Sequence, residues 1–308
     1  MALTRLGPAP DIAPGDILVV GCLRNEALRL PDFLAHHRRL GVDRFLLIDN
    51  GSDDGSTEFL RAQPDVSLYH TEDPYSSGGC GIAWQNEILA AHACGHWALI
   101  LDIDELFVFP GVETTPLKDF LAWAEGTGAD AVAAPMLDMY PAGPIAGATH
   151  RPGGGLLASS PWFDGTGYVT RRIAHGLAVP DRGGPRQRLF WDRHDRDFPG
   201  PVLFKIPVLK WRAGRALTAS THVMVGAALA PATGMLLHFK LLQDFARAAG
   251  AEAARGQHFG GARQYAAYAE VIAAEPELSA QWAGSARYRD SWQLVDLGLM
   301  HAPDGYPF

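Results

Sequence analysis

Residues 97–105 read Trp97-Ala98-Leu99-Ile100-Leu101-Asp102-Ile103-Asp104-Glu105. The unbroken apolar run has the length and continuity of a strand buried on both faces of a parallel sheet, and the acids follow at its carboxyl end. The same pattern recurs upstream. Ile17-Leu18-Val19-Val20-Gly21-Cys22 is a second such run, and it ends in Arg24-Asn25-Glu26. A helical pattern through Leu28, Leu30, Phe33, Leu34, His37 and Leu40 stops at Gly41. A strand over 44–49 then runs into Asp49-Asn50-Gly51-Ser52-Asp53-Asp54-Gly55-Ser56. A short helix over 57–63, a strand over 66–70, a Gly/Ser/Pro loop over 73–81 and a helix over 82–94 lead back to the opening stretch. This alternation predicts an α/β fold: a Rossmann-like, mostly parallel sheet flanked by helices. In open sheets of this kind ligands bind beyond the carboxyl ends of the strands, so the three polar segments are expected to meet at one crevice.

Downstream, a helix is predicted over 116–124 and a strand over 129–136. Residues 141–167, centred on Gly153-Gly154-Gly155, and residues 180–201 read as long binding loops. The second loop carries Arg182, Arg186, Arg188, Arg193 and Arg196. Helical spacing returns over 239–254, 262–274 and 291–299.

The 308 residues are 47% hydrophobic and 19% charged, the balance of a soluble globular protein. A formal charge of −8 disfavours a general nucleic-acid binder, yet it leaves room for an anionic nucleotide held by a local cluster of donors or a metal ion. No run approaches the roughly 20 apolar residues of a membrane span. The N-terminus lacks the basic and apolar regions of a signal peptide, so a cytoplasmic location is expected, with at most peripheral membrane contact. Cys22, Cys80 and Cys94 form neither a disulfide framework nor a zinc pattern and are expected to be reduced thiols.

On an extended segment Asp102 and Asp104 face the same side. Two crowded carboxylates repel each other unless a cation sits near them, and Mg²⁺ or Mn²⁺ suits such oxygen ligands while leaving positions for substrate phosphates. A solvated acidic loop capping the next element has the same composition. Asp49, Asn50, Ser52, Asp53 and Asp54 present short polar groups able to bond a base or ribose; an Asx-rich turn capping the next helix uses the same residues. Arg24, Asn25 and Glu26 add a cation and two polar side chains, with Arg24 also able to pair with Glu26 or Asp49.

In order and spacing these three motifs together resemble the GT-A glycosyltransferases, and within them the family 2-like branch that includes features of glycosyltransferase family 92. The resemblance covers residues 17–110. It implies that the first two motifs hold a nucleotide and that Asp102-Ile103-Asp104-Glu105 holds a metal and the diphosphate. Asp104 is then the firmest metal ligand, Asp102 lies nearer the ribose or bridges through water, and Glu105 supports the site from behind. The segments around Lys205-Ile206-Pro207, Ser220-Thr221-His222 and Leu237-His238-Phe239-Lys240 also resemble this branch. They imply His238 as a further metal ligand and Lys240 as a phosphate partner, although His238 also suits a satisfied core histidine. Where family 2 members often carry an Ala-Arg-Asn-like segment, this chain reads Trp84-Gln85-Asn86. Gln85 and Asn86 can still bond ribose or phosphate, and the missing charge falls to Arg24, Lys240 or a loop arginine.

The implied organisation is a flexible leader (1–16), a GT-A catalytic domain (17–240) and a C-terminal helical extension (241–308). The catalytic domain divides into a nucleotide and metal half (17–110) and an acceptor half with long loops (111–240). The implied reaction is metal-dependent transfer from a nucleoside diphosphate sugar, UDP-linked by family default, to a glycan, lipid or small-molecule hydroxyl, with inversion. Asp138 is the first choice as the base, with Asp164 and His222 as alternatives. Tyr140, Trp162, Phe163, Tyr168 and Trp191 are candidates for stacking on sugar, and Arg182, Arg186 and Arg188 for orienting an anionic acceptor. The rival readings are a sugar-nucleotide nucleotidyltransferase, disfavoured by the absence of a Gly-rich cationic loop after the first strand, and a non-catalytic carbohydrate- or nucleotide-binding protein.

Overall fold

The computed structural model describes residues 3–192, 200–218, 220–224 and 226–308. Its centre is a seven-stranded sheet in the order β1-β4-β3-β2-β5-β12-β7. The strands are β1 (Thr4–Arg5), β2 (Ile17–Leu23), β3 (Arg44–Asp49), β4 (Val66–His70), β5 (Trp97–Ile100), β7 (Ala131–Val132) and β12 (Val208–Lys210). The four strands from β4 to β5 are parallel, as the continuous apolar runs predict, whereas β1 and β12 pair antiparallel with their neighbours. The α/β expectation therefore holds, with antiparallel additions at the two flanks.

Side chains alternate across this sheet, which separates two cores. Val19, Phe45, Leu47 and Leu99 pack with Leu30, Phe33 and Leu34 of helix α1 (Leu30–Leu40). Leu18, Val20, Leu46, Ile48 and Ile100 pack on the other face with Trp84, Ile88 and Leu89 of α3 (Ile82–His92). A shorter helix, α2 (Ser56–Arg61), joins β3 to β4, and α4 (Leu117–Gly126) follows the acidic segment. Gly21 is required where β2 passes the acidic turn, because a Cβ there would fall 2.7 Å from the Leu101 carbonyl oxygen.

A second sheet, β6-β13-β8, is formed by β6 (Glu105–Val108), β8 (Met136–Asp138) and β13 (Met235–His238). Its register pairs His238 with Glu105 on one side and with Asp138 on the other. The apolar run 129–136, expected to be one strand, is split. Ala131 and Val132 stay in the main sheet, and the chain crosses at Ala133-Ala134-Pro135 to enter the second. Pro135 cannot donate to a ladder, so the run breaks there.

Two smaller pairings follow in the second half of the chain. In one, β10 (Val169–Arg172) lies against β11 (Ala178–Arg182); in the other, β9 (Trp162–Asp164) lies against β14 (Ser285–Arg287). The C-terminal segment adds helices α5 (Phe245–Arg255), α6 (Arg263–Ala274) and α7 (Ser291–Asp296). Because β14 pairs with β9, the C-terminal segment is hydrogen-bonded to residues 162–164. The leader is anchored too, since Thr4 and Arg5 pair with His70 and Tyr69 of β4. No helix of the described residues is long and apolar enough to cross a membrane.

Two buried histidines on α1 make the fold acid-sensitive. His36 donates through Nε2 to the Phe107 carbonyl at 2.7 Å, and the His37 ring contacts the Phe33 carbonyl at 2.9 Å. Burial depresses the pKa of His36 to about 4, and that of His37 is pushed well below its ordinary value by burial and by His36. Below pH 6.5 the unfolded chain takes up protons that the folded chain refuses, so stability is lost as pH falls from about 6.5 toward 4. Each histidine steepens the loss by up to about 1.4 kcal/mol per pH unit in that window. His238, whose pKa is raised, works in the opposite direction. Urea midpoints at pH 7.5 and 5 should differ less in His36→Gln than in the wild type; equal differences would refute the assignment.

Candidate active site

After β5 the chain does not continue extended. Glu105 N donates to the Asp102 carbonyl at 3.1 Å and closes a turn. This corrects the expectation that Asp102 and Asp104 share one face of an extended segment, because the turn sends each carboxylate to a different cation. Asp102, with 54% of its side chain exposed, accepts from Lys205 Nζ at 2.9 Å. Asp104 is buried, with its Oδ2 3.1 Å from His238 Nε2 and 3.4 Å from Lys240 Nζ. Glu105 is fully buried, accepts from Lys205 Nζ at 2.6 Å and receives the Asp102 backbone N–H at 3.2 Å.

The register of the second sheet explains the histidine. His238 Nδ1 lies 2.6 Å from Asp138 Oδ1, while Arg186 Nε lies 2.8 Å from both oxygens of Asp138. Burial works against the charge on Asp104, but His238 and Lys240 outweigh it and hold the carboxyl well below its ordinary value. Burial likewise opposes the charge on Asp138, yet Arg186 and His238 bring it down to about 2. With both oxygens engaged and so low a proton affinity, Asp138 is suited to orienting His238 and is a poor proton acceptor.

This geometry fits a divalent cation in part. Asp104 and His238 present one hard oxygen and one borderline nitrogen side by side, and the second nitrogen of His238 is held by a carboxylate, as metal-bound histidines usually are. Among the described residues no group of three or more His, Cys, Asp and Glu side chains is arranged to hold a metal on its own. Phosphate oxygens of a bound ligand would therefore have to complete the shell, in keeping with how Mg²⁺ and Mn²⁺ are commonly held.

The two upstream motifs interlock. Asn25 adopts a positive φ of 58°, donates its N–H to Ser52 Oγ at 2.9 Å and accepts the Asp53 N–H at 2.8 Å. Asp54 caps the Ala27 and Ser56 amides, and Glu26 N donates to Ser56 Oγ. Asp49 is fully buried and accepts from Ser52 and from Thr57 Oγ1. Asn25, Ser52, Asp49 and Asp54 thus build the crevice wall with their polar groups, whereas the side chain of Asp53 points to solvent. Arg24 Nη1 donates to the Asn50 carbonyl at 2.8 Å. Asn50 donates to the Thr71 and Asp73 carbonyls. Burial pushes Glu26 up to about 7 against the pull of Arg29, which lies 3.2 Å away. On α3, Gln85 is buried, and Asn86 spends both amide atoms on the backbone of Leu217.

Several residues at this site escaped sequence reasoning. Lys205 sits between Asp102 and Glu105. It is the one cation in the apolar run 202–208, and an isolated charge in such a run is itself a sign of a buried partner. Arg29 donates to both oxygens of Asp244 at 2.8 Å and to the Phe239 carbonyl, tying α1 to the segment after β13. Arg255 of α5 reaches Asn50 Oδ1 at 2.5 Å, and its guanidinium lies 5.9 Å from the Tyr75 ring. Lys240 lies 5.5 Å from the Tyr265 ring of α6. The C-terminal helices therefore cover the strand ends, and no local pattern in the sequence announces this.

The other two candidate bases sit in different surroundings. Asp164 is buried among Tyr140, Arg188 and Trp282. His222 places Nδ1 2.6 Å from the Phe204 carbonyl, and burial together with Lys205 lowers its pKa to about 4. Tyr140, Phe163 and Trp191 are core residues, so their apolar faces are spent on packing and are closed to sugar. Arg186 and Arg188 are paired with Asp138 and Asp164. Arg182 donates to the Gly200 carbonyl. Arg193 and Arg196 lie outside the described residues.

The chain is 38% identical over 103 residues to a glycosyltransferase family 92 protein of Oryza sativa subsp. japonica. The match takes in 32% of this chain but only 17% of the rice protein, so the chain spans a small part of that relative's length. The resemblance read from the motifs thus has a counterpart in a local sequence match. No protein-family model matches. A mannosyltransferase from Pyrobaculum calidifontis, solved with GDP-Man and Mn²⁺, is 22% identical with a TM-score of 0.31 over 41% of this chain and 39% of that one. A 4-diphosphocytidyl-2C-methyl-D-erythritol synthase is 14% identical with a TM-score of 0.30 over 66% of this chain and 78% of that one. At these scores neither likeness bears on fold or activity.

Proposed function

We propose that the protein is a metal-dependent glycosyltransferase that moves a sugar from a nucleoside diphosphate to a hydroxyl acceptor with inversion. The observation that carries this reading is the Asp104–His238 pair beside Lys240, at the carboxyl edge of a parallel sheet, in a chain similar to a family 92 glycosyltransferase. A divalent ion held by Asp104 and His238 would supply charge neutralisation to the departing diphosphate. Lys240 adds a fixed positive charge there, and Asp102, on the exposed side of the turn, faces the donor. Arg24 and Asn50 line the nucleotide end. The alternative reading as a nucleotidyltransferase is disfavoured by the loop after β2, Leu23-Arg24-Asn25-Glu26-Ala27, which lacks the glycines that cradle a triphosphate and whose Arg24 guanidinium is held by the Asn50 carbonyl.

His222 is the base this reading favours. A carbonyl only accepts, so the Phe204 contact puts the proton on Nδ1 and leaves the lone pair on Nε2. Nε2 takes the acceptor hydroxyl's proton as the oxygen bonds to the anomeric carbon and the bond to the diphosphate breaks. His222→Gln should lower kcat by about 10²- to 10⁴-fold. Nucleotide affinity should change by less than about threefold. An unchanged kcat would return the role to another group.

Calorimetric titration of UDP and GDP with and without Mn²⁺, followed by hydrolysis assays on the matching nucleotide sugars, tests the whole reading. Metal-dependent nucleotide binding with slow sugar release is the expected result. Turnover of nucleoside triphosphates, or no metal-dependent binding of either diphosphate, would refute it.

A further inference from the structure

The wall that begins at Asp104 and His238 continues past Asp138. A Cβ on Gly184 would lie 3.6 Å from Asp138 Oδ2 and 3.4–3.6 Å from the ring and hydroxyl of Tyr168, so Tyr168 stands next to Asp138. The Tyr168 hydroxyl is buried and makes no hydrogen bond. Folded proteins rarely leave such a group unpaired.

One residue earlier, a Cβ on Gly167 would come 3.8 Å from the indole of Trp282. Trp282 is 40% exposed, unlike the buried Tyr140, Phe163 and Trp191. Yet it is firmly held. Nε1 donates to Asp164 Oδ1 at 2.8 Å, and the Arg188 guanidinium lies 5.0 Å from the ring centre. The ring also lies so close to Gly284 that a Cβ there would fall 2.4 Å from it. Asp164 is in turn fixed by Tyr140 Oη at 2.7 Å and by Arg188 at 3.1 Å. A tryptophan in a merely structural role would bury its ring. This one is immobilised by its polar edge and by a glycine while apolar surface remains open to solvent.

An immobile aromatic plate with a guanidinium over its ring and an unpaired hydroxyl in the same wall matches the chemistry of a pyranose ring. Its C–H face lies on the indole, and its hydroxyl groups meet fixed donors and acceptors. We propose that Trp282, Arg188 and Tyr168 form an acceptor subsite for a pyranose unit of a glycan. The inference rests on the transferase reading for the word acceptor, but the sugar-binding surface stands apart from the nucleotide crevice. It selects a glycan from the acceptor classes that the sequence leaves open. The plate comes from residue 282 in the C-terminal segment, whereas the hydroxyl and guanidinium come from the acceptor half, so the subsite exists only because β14 pairs with β9.

The test uses the full chain and four trisaccharides as probes: maltotriose, cellotriose, chitotriose and mannotriose. At least one is expected to bind in calorimetry. Trp282→Ala should weaken that binding by about tenfold or more, whereas Trp282→Phe, which keeps a flat apolar face, should retain most of it. Tyr168→Phe should weaken it by about threefold or more through loss of the hydroxyl. GDP and UDP affinity should not change in any of the three, which separates the subsite from the donor crevice. Binding of none of the probes, or equal binding by Trp282→Ala, overturns the proposal. Trisaccharide binding that depends on Trp282 in a protein with no metal-dependent nucleotide binding would uphold the sugar site and sink the transferase reading.

Discussion

Asp104→Asn is expected to lower glycosyl transfer by at least about 10³-fold and to remove the effect of Mn²⁺ on nucleotide affinity. Asparagine keeps the shape of the side chain and its packing in the turn but gives up the anionic oxygen. That oxygen lies 3.1 Å from His238 Nε2 and 3.4 Å from Lys240, and the other carboxylate on His238, that of Asp138, meets its Nδ1. Asp102 does not substitute, because the turn directs it to Lys205. The loss should come with a preserved circular dichroism spectrum, since the Phe239 amide bonds to the backbone carbonyl of Asp104 and not to its side chain. Activity within about tenfold of wild type would show that Asp104 is structural.

The second large effect concerns stability. Lys205 is 4% exposed and Glu105 not at all, and the two meet at 2.6 Å. Lys205→Met leaves Glu105 as a buried carboxylate without its cation, a change that typically costs about 3–5 kcal/mol. Burial already pushes the Glu105 pKa upward against Lys205, so part of the loss will be met by protonation. Combining Lys205→Met with Glu105→Gln removes the stranded charge and should recover most of the loss. Urea unfolding of the single and double variants measures both. A single variant within about 1 kcal/mol of wild type, or a double variant no better than the single, would show that the pair does not hold the turn in place.

Much of this was readable from local pattern. The strand over 44–49 and the strand over 66–70 appear as read, and β2, β5 and α3 differ only at their ends. Apolar periodicity and glycine stops are properties of neighbouring residues, and burial in a two-faced sheet simply enforces them. Failures cluster where a distant partner decides. The run 129–136 looked like one strand because its apolar residues suit either sheet; Pro135 and the competing partners β12 and β13 divided it. Three of the sugar-stacking candidates, Tyr140, Phe163 and Trp191, failed for a related reason, since an aromatic residue reads the same in a core as on a surface, and Trp282 carried no local mark of exposure.

The sequence by itself determined the α/β class, the order of the polar strand ends and the likeness to a glycosyltransferase, because these follow from composition and spacing along the chain. Only the tertiary structure decided which cation each acid meets. Asp102 and Glu105 share Lys205, Asp104 meets His238 and Lys240, and Asp138 serves His238 and Arg186. These pairings span a hundred residues or more in most cases, and the placing of His238 beside Asp138 is set by the register of β13 between β6 and β8. A one-residue slip in that register would turn His238 to the opposite face of its sheet, because side chains alternate along a strand.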